Sequence, residues 1–146
     1  MCSSDLPAGE PAPSDAYTFI GGVPFLQTTP SPVVTLTNLP AGDYVFHFHS
    51  NFVTGVFDRR FISCFLETPG GVTADRPTVD IQRPDNRGGG DVLLSFHSAA
   101  TLPDMTNNVS VNCVVQGLGV TATDVNAGSP RLTAIAVGTL HRQSLR

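Results

Sequence analysis

Lysine and tryptophan are missing from this chain altogether, and glutamate occurs only twice, as Glu10 and Glu67. All eight basic residues are therefore Arg, a bias expected of a GC-rich gene. They form no stripe for a phosphate backbone to follow, and the formal net charge is −4, so no nucleic-acid partner is expected. With so few glutamates, and those at the Pro-rich start and at a strand end, a pair of carboxylates for glycoside hydrolysis is not indicated. No Gly-x-Ser-x-Gly turn is present to set up a serine nucleophile. The lack of Trp removes the usual stacking platform for sugars and leaves only Tyr17 and Tyr44. No apolar run is long enough to span a bilayer. Charged residues make up 14% of the chain, well below the quarter usual in globular domains. The surface must therefore rely on Ser, Thr, Asn and Gly, as extracellular β proteins often do. The expectation is a protein that is not an enzyme.

What the 146 residues do contain is period-two patterning cut by 12 Pro and 14 Gly. Residues 1–15 read as a flexible lead-in. Its first six, Met1-Cys2-Ser3-Ser4-Asp5-Leu6, match the translation of a sequencing adaptor, so a signal peptide could have been lost from a truncated gene. Strand patterns follow at Ala16–Ile20, Val33–Asn38, Asp43–Val53, Arg59–Glu67, Thr78–Gln82, Asp91–His97, Val109–Gln116 and Arg131–Leu140. In the clearest, Tyr44, Phe46 and Phe48 alternate with Val45, His47 and His49, which assigns the aromatic set to a core. No window shows a helical period of adequate length. Eight short strands with turns at this spacing predict an all-β sandwich over residues 16–140, a jelly roll of about eight strands, with a tail at 141–146.

Setting Cys2 aside with the adaptor, two cysteines remain, Cys64 and Cys113. Neither lies in a CxxC or a Cys/His cluster, which argues against zinc. They are either two buried thiols or a disulfide joining two strands, and an oxidising compartment would favour the bond. His47 and His49 share a strand face, and His97 lies on another strand with similar facing. That spacing can serve a metal, or simply provide polar surface or an interface opposite the aromatic face. Oxygen-rich turns, with Asp80, Asp85, Asn86 and Asp91 in one, Asp104, Asn107 and Asn108 in a second, and Asp124 and Asn126 in a third, could hold calcium. None matches an EF-hand loop, and Asp and Asn are also ordinary turn formers. No cofactor is otherwise indicated.

The segments Leu39-Pro-Ala-Gly-Asp-Tyr44, Ser63-Cys-Phe-Leu66, Val109-Ser-Val-Asn-Cys113 and Leu132-Thr-Ala-Ile-Ala-Val-Gly-Thr-Leu140 occur in one order. Together they resemble a group of uncharacterised secreted β-sandwich proteins frequent in actinobacteria. The likeness runs from about Tyr17 to Leu140 and implies a secreted or cell-surface location. More distantly, the layout resembles the jelly-roll globular heads of complement and tumour-necrosis-factor-like proteins, which implies a homo-oligomer, by preference a trimer. A non-catalytic extracellular structural or interaction module is the reading that follows. A ligand-binding module for glycans or calcium is the alternative.

Overall fold

The computed structural model describes residues 15–22, 24–55, 58–73, 75–81, 90–121 and 124–140. Every regular element among them is a strand: β1 (Ala16–Ile20), β2 (Ser31–Leu39), β3 (Gly42–Thr54), β4 (Arg60–Thr68), β5 (Gly71–Val72), β6 (Thr78–Ile81), β7 (Gly90–Leu102), β8 (Asn107–Gln116) and β9 (Val125–Val137). One sheet has the order β1-β9-β3-β7. The other has β2-β8-β4, with β5 and β6 both pairing to β4. All named pairings are antiparallel. The two short strands take opposite ends of β4, so together they act as one interrupted edge strand. Counted that way the sandwich is an eight-stranded jelly roll, in which early and late strands interleave within each sheet.

Alternation along β3 drives Tyr44, Phe46, Phe48 and Phe52 fully inward. Leu94 and Phe96 of β7 and Leu132, Ala134 and Ala136 of β9 flank them. From the facing sheet Ile62, Leu66, Val109, Val111 and Val115 complete the core, with almost no exposure. Three alanines of β9 stand beside large rings of β3 (Ala136 opposite Tyr44, Ala134 opposite Phe46, Ala127 opposite Phe52), so large and small side chains share these layers.

The Leu-Pro-Ala-Gly-Asp-Tyr segment has a clear local cause. Leu39 is buried, Gly42 takes φ 148°, and the Tyr44 hydroxyl donates back to the Pro40 carbonyl at 3.0 Å. Asn107, itself buried, donates to the Leu39 carbonyl at 3.0 Å and to the Asp104 carbonyl at 2.8 Å. Burial, and then the nearby Tyr17 and Asp15, push the Tyr44 phenol up to about 12.

Cys64 and Cys113 are disulfide-bonded, with Cα atoms 4.1 Å apart and no exposure. They are direct partners in the β4–β8 register, so the bond joins neighbouring strands of one sheet rather than the two sheets.

The expected sandwich of about eight strands is present, with the two-residue β5 after the Thr68–Gly71 turn added to the patterns read from the sequence. Two strand bounds need correction. β7 continues through Ser98–Leu102, where two alanines dilute the strand signal. β9 begins at Val125, not Arg131. Its Gly128-Ser129-Pro130 run reads as a turn but is a bulge, marked by a register shift opposite His49–Asn51 and by φ 50° at Ser129.

Candidate functional site

Whatever β3 does not bury it presents on the outer face of the four-stranded sheet. That face carries Val45, His47, His49, Asn51 and Val53 down its centre. The registers with β1, β9 and β7 place side chains in rows. Thr18, Thr133, His47 and His97 form one row. Ile20, Arg131, His49 and Ser95 form the next, and Ala16, Ile135, Val45 and Ala99 lie on the other side. Ile20, Leu93 and Ile135 on this face are 50%, 64% and 40% exposed, a large apolar content for open surface.

The three histidines expected to share a face do so. His47 and His97 are direct register partners, with Nδ1 atoms 3.3 Å apart and ring centroids 4.4 Å apart. The His49 ring lies 5.7 Å from that of His47. Burial, together with the neighbouring His97 and His49, holds the His47 pKa below its ordinary value, so this ring is neutral at pH 7. Among the described residues no group of three or more His, Cys, Asp or Glu is arranged to hold a metal ion. Ser95 stands across from His49 in the same register, while Ser50 and Ser98 face inward, Ser50 donating to the carbonyls of Asn51 and Gly128.

Among the described residues, the oxygen-rich ones do not converge. Asp85 and Asn86 lie outside the described residues. Asp91 and Asn126 belong to strands β7 and β9 and flank Val53 with β3 between them, instead of sharing a loop. Asp80 is in β6 and pairs with Arg59. Asn107 and Asn108 open β8, where Asn107 serves the turn described above.

Asp124 is fully engaged elsewhere. Its Oδ2 accepts from Arg60 Nε at 2.9 Å and from the Thr121 amide at 2.9 Å, and its Oδ1 accepts from the Thr121 hydroxyl at 2.6 Å. Burial pushes this carboxyl up. The Thr121 hydrogen bonds and the Arg60 guanidinium outweigh that and hold it below the usual carboxylate range. This nearly dry ion pair, with side chains 3% and 9% exposed, had no sequence signal, because Arg59-Arg60 reads as two solvated charges.

A cleft of about 610 Å³ opens where the interrupted strand meets the β7 edge. Thr68, Thr73, Asp75, Ser98 and Thr101 supply its polar lining.

No protein-family model matches the sequence, and no curated protein does either. Among solved structures, that of the infectious bursal disease virus Gx strain superposes with a TM-score of 0.56 at 16% identity, over 88% of this chain and 34% of that one. The VP2 subviral particle of infectious bursal disease virus gives 0.53 at 15% identity, over 85% and 33%. The chain therefore spans about a third of the length of these viral chains, and what it shares with them is the fold. A looser likeness, with a TM-score of 0.45 at 12% identity over 85% and 97%, is to the globular domain of zebrafish complement 1qA protein.

Proposed function

We propose that this chain is a non-catalytic, extracellular interaction module that associates with copies of itself through the outer face of the β1-β9-β3-β7 sheet. The observation that carries the proposal is the set of exposed apolar side chains Ile20, Leu93 and Ile135 around His47, which is neutral at pH 7. A surface that meets its own copy cannot carry strong charge of one sign. This one sets Arg131 against Asp43 and Asp91. Strands of this length and spacing present roughly 700 Å², close to the ~800 Å² per partner of a standard interface. The VP2 chain, a third of which shares this fold, is found in a subviral particle, which supports assembly as a use of the sandwich. The buried disulfide and the sparse charge support an oxidising, extracellular setting, as does the resemblance to secreted actinobacterial sandwiches.

Sedimentation of the wild type and of Leu93→Asp/Ile135→Asp tests this. Oligomers at high micromolar concentration that become monomers in the variant are expected. A wild type that stays monomeric refutes the proposal. A second reading, a small polar ligand such as a glycan, is favoured by the hydroxyl-lined cleft beside β7. Saturable binding on a glycan array that Asp75→Ala and Ser98→Val abolish would support it.

A further inference from the structure

We propose that His47 and His97 form a two-point chelate for a borderline divalent transition ion, with zinc the best geometric match. The two residues are direct cross-strand partners on β3 and β7, and they project to the same open face. β3 is central in its sheet and carries pairing on both sides, so the backbone fixes the two positions from which the imidazoles project before any ion arrives. Their Nδ1 atoms stand 3.3 Å apart. Two nitrogens bound to one tetrahedral zinc at about 2.0–2.1 Å are separated by roughly 3.3–3.4 Å. A square-planar ion would require a bite of roughly 2.8 Å at similar bond lengths. The pair therefore matches the tetrahedral case without movement of the strands.

Imidazole is a borderline donor suited to zinc, nickel and copper and poorly suited to magnesium or calcium. When each ring carries its proton on Nε2, both Nδ1 lone pairs are free to bind an ion. A modest rotation of the rings turns those lone pairs from one another toward the ion. His97 is exposed and His47 half-buried, so an ion can enter from solvent and keep water on its remaining positions. His49 is not a ligand in this scheme: its ring is centred 5.7 Å from that of His47, and no three-residue donor set is formed. The chelate lies on the face that self-association would cover, so it is read on dilute, monomeric protein, where either can fail without the other.

The test is isothermal titration of the full chain with ZnCl2 in a non-chelating buffer at pH 7.5. A Cys2→Ser background is used throughout, so that this thiol does not compete. Saturable binding of one ion per chain is expected, weakened roughly tenfold or more in His47→Ala and in His97→Ala, since each leaves a single imidazole donor. His49→Ala should bind as the parent does, and excess Mg2+ should not displace zinc. Because His97 is exposed, its replacement leaves the fold intact, which unchanged near-ultraviolet circular dichroism would verify. Absence of saturable binding in the parent overturns the proposal. So does an equal loss in His49→Ala, or unchanged affinity in His97→Ala.

Discussion

Replacing Arg60 with Met should destabilise the sandwich in a way that depends on pH, and the geometry fixes both size and sign. The Arg60 and Asp124 side chains are 3% and 9% exposed and meet at 2.9 Å. Charge centres in such a contact lie about 4 Å apart, worth about 4 kcal/mol at an effective dielectric of about 20. The desolvation cost of both ions is already incurred in the fold. Removing one partner therefore strands the other, at a cost of about 3–5 kcal/mol at pH 7. The Asp124 carboxyl lies below its ordinary range in the folded protein. Its contribution is present above the unfolded carboxylate value and is lost as pH falls through the folded one. In Arg60→Met the carboxyl loses its cation and can escape by protonation, so the cost of that substitution should shrink as pH falls toward 4. Asp124→Asn should cost a similar amount at pH 7 and change little down to pH 4, because the folded wild-type carboxyl, held below its ordinary value, gives up its contribution only at lower pH. The Arg60→Met/Asp124→Asn pair should lose less than the sum of the two singles. Urea unfolding of all four proteins at pH 7 and pH 4 measures these quantities. Strict additivity in the double variant, or a pH-independent cost for Arg60→Met, would refute the reasoning.

Reducing the Cys64–Cys113 bond should cost about 4 kcal/mol in the chain-entropy model for a sequence separation of 49, read as a lower urea midpoint in a Cys64→Ala/Cys113→Ala variant. With no exposure of either sulfur, the wild-type bond should resist mild reductant until the protein is unfolded, which thiol labelling with and without urea would check. The Tyr44 phenol, raised to about 12 in the fold, contributes stability that is fully present below about pH 10 and lost as pH rises through about 12, on the order of 3 kcal/mol. Tyr44→Phe should flatten that alkaline limb while costing only about 1 kcal/mol at neutral pH through its lost hydrogen bond to Pro40. Asn107→Ala should cost about 2–3 kcal/mol, because the Leu39 and Asp104 carbonyls lose their shared donor; a change below 0.5 kcal/mol would remove Asn107 from that role.

The sandwich was legible wherever one strand face is buried and the other wet. The Tyr44, Phe46, Phe48 alternation declared its inner face, and by the same rule it put His47 and His49 outside together. His97 followed because Leu94 and Phe96 fixed the phase of β7. Two kinds of feature were hidden. Turn-forming residues that sit in a bulge, Gly128-Ser129-Pro130, look the same in sequence as those that end a strand, so half of β9 was read as loop. Pairings between distant strands were also hidden, since nothing in Arg60 or Asp124 alone says that the two meet across 64 positions. The register that brings the His47 and His97 nitrogens within 3.3 Å is of this kind: the facing was readable, the distance was not.

Among the described residues β1 finds its ladder partner in β9, with Ala16 opposite Ile135, and β9 lies between β1 and β3. A ribosome making this chain thus has nothing to close the four-stranded sheet with until β9 has emerged. Local hairpins cannot stand in for it, because the rings of β3 need the small side chains of β9 beside them to form a layer. Folding should accordingly be slow and all-or-none, governed by one late, long-range closure. A chain stopped anywhere before Val125 should give no stable partial domain, only an open sheet with a bare edge for proteases or other chains to seize.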